Sequence, residues 1–205
     1  MVRIAIDNGL YLKSLELKEA EELLLLVDSN RSYLREWLPW LDTTSTIDEM
    51  IHFVESTLRQ LESGLGFQAG IWKNRQIVGI IGYHHLEWAN RSTCIGYWLD
   101  ARHQGQGIMT KACRSLVAYA FEEWKLNRVE IRCAEANTKS RGIPERLGFK
   151  PEGLLREAEW LYDHYVDHIV YGMLANEWSK THSRQIGLES SPVQRSSVAE
   201  SSTKL

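Results

Sequence analysis

Apolar and polar residues repeat along this chain with two different periods. Where apolar residues alternate with polar ones, or form short runs rich in β-branched residues, the pattern predicts strands. Where they recur every three or four positions, it predicts helices with one buried face. The strands are predicted at Val2–Ile6, Gly9–Leu15, Phe67–Trp72, Ile77–His85, Thr93–Leu99, Arg128–Ala134, from Phe149 onward and at Tyr165–Ala175, and the helices at Leu17–Asn30, Arg31–Leu41, Ile47–Glu62, Gly105–Trp124 and Asn137–Leu147.

The connections between these elements indicate how they assemble. Short turns join the three strands between Phe67 and Leu99, so they are predicted to be antiparallel neighbours. The helix from Gly105 carries the chain from the strand ending at Leu99 to the strand beginning at Arg128, and such a crossover makes those two strands parallel. The predicted fold class is α/β (α+β).

Composition narrows the class of protein. The 205 residues are 43% hydrophobic and 25% charged, which suits a soluble domain with a substantial core. The net charge of −3 offers no basic surface for nucleic acid, and no apolar run reaches the roughly 20 residues of a membrane span. Met1–Asp7 lacks a signal-peptide pattern, and three cysteines suit buried thiols in a reducing compartment. A cytoplasmic location is therefore expected.

The character of the chain changes near its C-terminal end. Residues 1–178 contain every predicted element and are predicted to form one domain. After Glu177 the composition shifts, and Ser183–Leu205 is rich in serine, poor in apolar residues and without periodicity. Residues 179–205 are predicted to be a disordered tail.

The segment Gly96–Thr110 carries the strongest chemical signal. It runs from an aromatic strand through Gly105 and Gly107 into the long helix. Glycines let backbone N–H groups approach a ligand, and a helix N-terminus favours negative charge, so the segment predicts a diphosphate site. A dinucleotide fingerprint is disfavoured because its third glycine falls at Thr110, and a P-loop is excluded by the spacing before Lys111. A plain helix start with closely packed glycines is the alternative.

Motifs on both sides of the long helix resemble a known family. Arg102-x-x-Gly105-x-Gly107 resembles the acetyl-CoA pyrophosphate loop of the GCN5-related N-acetyltransferase (GNAT) superfamily. The resemblance spans about residues 5–178 and implies a GNAT fold. That fold is a mixed, mostly antiparallel sheet of about seven strands with flanking helices and splayed parallel strands at the acetyl-CoA site. Later motifs resemble one group of this superfamily, the ribosomal-protein-serine N-acetyltransferases (RimL/RimJ type). These motifs are Asn137-x-x-Ser140, Glu145-Arg146-Leu147-Gly148-Phe149, Gly153-Leu154-Leu155-Arg156, Asp167 and Tyr171.

The resemblance implies a set of acetyl-CoA-binding residues. Backbone N–H groups from Gln104 to Ile108 would hold the pyrophosphate, and Thr110 would add a hydroxyl. The strand before the loop would contact the pantetheine arm, and Asn137 would donate a hydrogen bond to it or serve only as a helix N-cap. The implied binding residues are Tyr97, Trp98, Leu99, Arg102, Gln104, Gly105, Gln106, Gly107, Ile108, Thr110, Asn137 and Ser140.

Two side chains are candidates for catalysis. Ser140 matches the family hydroxyl that protonates the leaving thiolate or binds its sulfur; its alternative role is only to begin a helix. Glu159 is the candidate general base, directly or through water, and Glu157 is its rival. The implied reaction is direct transfer of acetyl to an amine through a tetrahedral intermediate.

The acceptor is expected to be a protein N-terminus, from a ribosomal protein beginning with serine. An α-amine has a pKa of about 7.7–8.0 against about 10.4 for lysine, so it needs only a weak base. The alternatives are a small amine such as an antibiotic or polyamine, and an acyl-CoA-binding module without turnover. The family also makes a homodimer plausible.

Histidines and tryptophans give weaker signals. His164 and His168 lie four residues apart in a predicted strand, too far apart for easy joint ligation, so no metal is expected. Trp37 and Trp40 are core residues by default, or else line the groove for the acceptor.

Overall fold

The fold is built around a mixed sheet of eight strands. The structure is a computed structural model, and it describes residues 1–180. The strand order across the sheet is β1-β2-β3-β4-β5-β6-β8-β7. All neighbouring strands are antiparallel except β5 and β6. The strands are β1 (Arg3–Asp7), β2 (Leu10–Ser14), β3 (Gln68–Lys73), β4 (Gln76–Glu87), β5 (Ser92–Leu99), β6 (Arg128–Ala134), β7 (Lys150–Leu161) and β8 (His164–Leu174), and the helices are α1 (Ala20–Leu34), α2 (Ile47–Glu62), α3 (Ile108–Glu122) and α4 (Thr138–Leu147).

The sheet separates two hydrophobic cores. Helix α3 packs on one face, where its stripe from Ile108 to Phe121 is buried with residues of β2 to β6. Helices α1 and α2 pack on the other face against Trp72, Ile77 and Ile80. Side chains of successive strand residues alternate between these faces.

The parallel pair separates partway along its length. Ser92 pairs with Arg128 and the register continues only to Ile95 opposite Ile131, although β5 runs on to Leu99. Residues 96–99 therefore have β4 on one edge and no strand on the other. The predicted mixed fold with splayed parallel strands is confirmed, with eight strands where about seven were expected, because both strands of the N-terminal hairpin join the sheet.

Helix α2 begins at Ile47 as predicted, and a capping box forms its N-terminus. Thr46 Oγ1 accepts from the Glu49 N–H, and the Glu49 carboxylate accepts from the Thr46 N–H at 2.9 Å. Each group satisfies a donor that the helix end would leave unpaired.

The separate helix predicted at Arg31–Leu41 is wrong. Helix α1 continues through Arg31 to Leu34, because Leu34 extends the buried stripe and is only 2% exposed. Pro39 then disfavours helical backbone at the preceding residue, and the chain proceeds by turns to a short 3-10 turn at Leu41–Thr43.

Helix α3 begins three residues later than predicted. Gly105 and Gly107 both have a φ of +72° and lie outside the helix, with Gly107 as its N-cap. Left-handed backbone at these two positions is what glycine accommodates at least cost.

Of the predicted tail, 179–205, only the first two residues are described, and they end a helical segment at 175–180. The remainder lies outside the described residues.

Candidate active site

Ser140, Tyr97 and Cys133 come together beside the gap between β5 and β6. Cys133 Sγ lies 3.2 Å from Ser140 Oγ, and the Ser140 hydroxyl lies 3.4 Å from the Tyr97 hydroxyl. Asn137 places Ser140 here as the N-cap of α4, with its Oδ1 accepting from the Ser140 N–H at 3.0 Å. The cap fixes the first turn of α4 at the end of β6.

A proline inside α4 ties this helix to β5. Pro144 has no N–H, so the carbonyl of Ser140, four residues earlier, loses its normal helical donor. The Tyr97 hydroxyl donates to that carbonyl at 3.1 Å instead. The result is a side-chain bridge across the gap.

Burial keeps both neighbours of Ser140 protonated. It raises the pKa of the Tyr97 phenol well above its ordinary value and raises the pKa of the Cys133 thiol. At neutral pH Tyr97 therefore stays a hydrogen-bond donor, and Cys133 does not present a thiolate nucleophile.

The loop after β5 is held by a buried carboxylate. Asp100 is 1% exposed and accepts from the Arg102 side chain at 2.8 Å, and its Oδ2 lies 3.1 Å from His103 Nδ1. Burial opposes its ionisation, but the hydrogen bonds from Arg102 and His103 outweigh burial and keep the pKa of Asp100 below its usual value. The Arg102 charge is therefore already paired.

Beyond Arg102 the loop opens around the start of α3. A Cβ built on Gly105 or Gly107 would meet no atom within 4 Å. The first helical hydrogen bond runs from the Lys111 N–H to the Gly107 carbonyl, at 3.0 Å, so the N–H groups of residues 108–110 point out of the helix end. Outward-pointing N–H groups at a helix N-terminus are typical of an anion site.

The segment between α1 and α2 covers the other face of β5. The Trp40 ring of this segment lies 6.5 Å from that of Trp98, and Tyr33 of the preceding helix α1 donates from its hydroxyl to the Leu99 carbonyl at 2.5 Å. Trp37 lies in the same segment and is partly buried. Trp98 and Tyr97 therefore face opposite sides of the sheet.

The same segment reaches the far end of the sheet. The Tyr162 hydroxyl, in the β7–β8 turn, donates to the Leu38 carbonyl at 2.6 Å, and the Arg35 guanidinium lies 3.7 Å from the centre of the Tyr162 ring. Because β5, β6 and β7 run in the same direction, their C-terminal ends lie at the same end of the sheet. The segment between α1 and α2 crosses that end of the sheet and forms one wall of the gap between β5 and β6.

Glu159 and Glu157 occupy different environments on β7. The Glu159 carboxylate is 32% exposed and lies 3.3 Å from His168 Nε2. Glu157 is exposed, and its N–H donates to Asp167 at 2.8 Å within a bulge. Of the two, Glu159 is the carboxylate held beside a titratable partner.

Sequence comparison decides the family. The acetyltransferase (GNAT) domain matches residues 10–150, which include the separating strands, the glycine loop and Ser140. The chain belongs to the GNAT family. It is an acyltransferase.

Two curated GNAT relatives cover nearly their full lengths. The Bacillus subtilis protein YdaF, provisionally named a ribosomal N-acetyltransferase, is 36% identical over 179 residues, 87% of this chain and 98% of that protein. The ribosomal-protein-serine acetyltransferase of Escherichia coli is 29% identical over 171 residues, 83% of this chain and 96% of that protein.

A solved GNAT structure has the same fold. RimL, the ribosomal L7/L12 α-N-protein acetyltransferase, in complex with coenzyme A superposes with a TM-score of 0.83 at 26% identity, covering 86% of this chain and 99% of that one. That complex contains a disulfide between coenzyme A and a cysteine of RimL. Acetyl-CoA is the cosubstrate of the GNAT enzyme described here.

The open loop fits the diphosphate of acetyl-CoA. Gly105 and Gly107 leave space for an anion against the backbone, and the N–H groups at the start of α3 point into it. Ile108 is buried and anchors the helix, whereas Thr110 offers its hydroxyl at the first turn. The cosubstrate supplies the acetyl thioester, and these residues would hold its anionic part.

Three positively charged side chains around the glycine loop were not predicted as site residues. Lys73 contacts Gln106 Oε1, Lys139 Nζ lies 3.2 Å from Gln104 Oε1, and the Arg146 guanidinium lies 3.3 Å from Thr110 Oγ1. Within residues 1–180 none of the three pairs with a carboxylate. Lys73 ends β3 and the other two lie on α4, and only the family run containing Arg146 pointed to any of them.

Residues 1–180 contain neither a cluster of metal ligands nor a membrane-spanning helix. No three His, Cys, Asp or Glu side chains in this part gather as metal ligands. None of its helices has the length and apolar character needed to cross a bilayer.

Proposed function

We propose that this GNAT enzyme transfers acetyl from acetyl-CoA to the N-terminal α-amine of a ribosomal protein that begins with serine. One observation carries the proposal. The glycine loop lies at the end of β5, beside the gap between β5 and β6, and the Ser140 hydroxyl lies on one face of that gap. Glu159 lies at the end of the sheet where the gap opens. The names of the Escherichia coli relative and of RimL support the acceptor class.

Each side chain has a defined role in this proposal. Glu159 accepts the proton of the attacking amine, and Ser140 donates its hydroxyl proton to the departing sulfur and regains a proton from solvent. Asn137 caps α4 with its Oδ1 and keeps its side-chain N–H groups for the pantetheine arm. The backbone of Tyr97 to Leu99 lines the gap along that arm.

Direct transfer is favoured over an acyl-enzyme. The thiol next to Ser140 belongs to Cys133, whose pKa burial raises, so it is a poor nucleophile at neutral pH. The amine therefore attacks the thioester itself. We place the catalytic domain at residues 1–178.

The pKa of the acceptor favours an α-amine. Deprotonating lysine instead of an α-amine costs about 3 kcal/mol more near neutral pH. A single partly exposed carboxylate is suited to the easier task. A cytoplasmic location, where ribosomal proteins are made, completes the proposal, and the free thiols of Cys94, Cys113 and Cys133 accord with it.

An acceptor panel tests this function. Peptides of one sequence that differ only in Ser, Ala or Glu at position 1 are compared with an N-terminally blocked peptide containing lysine, and with spermidine and an aminoglycoside. We expect thiol release from acetyl-CoA to be fastest with the Ser peptide, and mass spectrometry to locate acetyl on its α-amine.

Other results would overturn the proposal in distinct ways. Preference for spermidine or the aminoglycoside would identify a small-amine acetyltransferase. Binding of acetyl-CoA by calorimetry, without thiol release for any amine, would identify a binding module.

We propose further that the enzyme is a homodimer through β7. Within residues 1–180 this strand ends the sheet and its outer edge pairs with no other strand, and Leu154 and Leu155 are 45% and 42% exposed on it. A second copy can pair with this edge around a twofold axis.

Light scattering after size-exclusion chromatography should therefore give about 47 kDa, twice the 23.7 kDa chain mass. Leu154→Lys/Leu155→Lys should give the single-chain mass, because charges on an edge strand oppose pairing. Leu25→Lys, at an exposed leucine of α1, should leave the dimer intact. A single-chain mass for the unmodified protein would contradict the dimer.

A further inference from the structure

His168 is a partly buried imidazole whose contact with Glu159 follows from an irregularity in β7. Leu155 pairs with His168, and regular antiparallel register would then place Glu157 opposite Val166. The structure instead pairs Glu159 with Val166. The bulge at residues 156–158 therefore shifts β7 by two residues.

This shift determines which carboxylate lies next to His168. In an antiparallel pair, a residue shares its face with the diagonal neighbour two positions along the other strand. Opposite Val166, Glu159 gains His168 as that neighbour, with Oε2 3.3 Å from Nε2. In regular register Glu157 would take this place.

The bulge is itself held in place by hydrogen bonding. The Glu157 backbone has a φ of +49°, and its N–H donates to the Asp167 carboxylate at 2.8 Å. Asp167 directly precedes His168, so one short stretch of β8 fixes both the bulge and the imidazole. Bulges commonly redirect a side chain at a functional site.

His168 also lies beside the end of β6. It pairs with Ala134, the residue after Cys133, whose thiol contacts Ser140 Oγ. With a side chain 16% exposed, it is more sheltered than the carboxylate it contacts. A contact between sheltered groups limits rotation of a carboxylate more than an exposed ion pair does.

We infer that His168 is a positioning residue for Glu159: it holds one carboxylate oxygen and leaves the other to accept the amine proton. The inference rests on the proposed function, in which Glu159 is the base. It assigns His168 a role in transition-state geometry rather than in cosubstrate binding.

Three substitutions separate this role from a structural one. In His168→Gln the amide nitrogen, Nε2, lies as many bonds from the backbone as the imidazole Nε2. In His168→Asn the amide nitrogen lies one methylene closer to the backbone. We expect His168→Ala and His168→Asn to lower kcat for the Ser peptide by about 10- to 100-fold, and His168→Gln to stay within about threefold of the unmodified enzyme. The Kd of acetyl-CoA should change in none of them.

Glu159→Gln supplies the double-mutant test. Because His168 acts through Glu159, adding His168→Ala to Glu159→Gln should lower kcat no further. His164→Ala, at the first residue of the same strand where the side chain is 61% exposed, is the matched control and should have full activity. Melting temperatures check that each variant is folded.

The outcomes distinguish this inference from the proposed function. If Glu159→Gln lowers kcat but His168→Ala does not, or if Gln fails to rescue, the role of His168 is overturned and Glu159 stands as the base. If Glu159→Gln has full activity, both assignments fail. Independently of any acceptor, ring-nitrogen NMR should find Nε2 of His168 protonated, and the Nδ1–H tautomer would also overturn the inference.

Discussion

Ser140→Ala should lower kcat for acetyl transfer by about 100-fold while the Kd of acetyl-CoA stays within about threefold. The hydroxyl lies 3.2 Å from Cys133 Sγ and 3.4 Å from the Tyr97 hydroxyl, at the mouth of the strand gap. Its loss removes the donor for the departing sulfur. The loop proposed to bind the diphosphate is untouched, and the Asn137 cap is kept because it uses the backbone N–H of residue 140.

Steady-state kinetics with the Ser peptide and calorimetry with acetyl-CoA check this prediction. Ser115→Ala is the matched control, since the partly exposed Ser115 hydroxyl donates to the Lys111 carbonyl of its own helix, at 3.2 Å, away from Ser140. An unchanged kcat in Ser140→Ala would exclude Ser140 from catalysis. A fall in acetyl-CoA affinity that accounts for the whole loss would assign it to binding.

Gly107→Ala should raise the Kd of acetyl-CoA at least about 30-fold. The new Cβ meets nothing within 4 Å in the protein, so it enters the space in which the diphosphate is proposed to lie. Left-handed backbone at a φ of +72° also costs a non-glycine residue about 1–2 kcal/mol of folding stability.

Gly64→Ala separates these two effects. Gly64 has a φ of +67° and also has nothing within 4 Å of a built Cβ, but it lies after α2 and outside the loop. Both variants should lose similar stability in thermal unfolding, and only Gly107→Ala should lose affinity in calorimetry. Equal affinities in the two variants would remove the loop from the cosubstrate site.

Short-range patterns predicted most of the fold. Helix α2 has the predicted bounds, Ile47–Glu62, because its capping box and apolar stripe lie within one segment. Strand β6 likewise matches Arg128–Ala134. The helix predicted after Arg31 failed because Leu34 is buried by tertiary packing, which continues α1 where local composition suggested a break.

The candidate site was predictable where its parts are close in sequence. The glycine loop precedes its own helix, so local pattern predicts an anion site there, and the motif Asn137-x-x-Ser140 is short enough to show its resemblance to the family. The bulge that places Glu159 beside His168 depends instead on the register between two strands. The donation from Tyr97 to the Ser140 carbonyl joins residues 43 positions apart, and no sequence pattern specifies it.

The cations around the loop have a kinetic consequence. Arg102 is paired with Asp100, whereas within residues 1–180 Lys73, Lys139 and Arg146 form hydrogen bonds to amide or hydroxyl oxygens and no ion pair with a carboxylate. Their combined field attracts a polyanion before contact, so the association rate of acetyl-CoA should fall steeply with ionic strength while its dissociation rate changes little. A protein with a net charge of −3 thus has a local electrostatic funnel for an anionic ligand that its overall charge would repel.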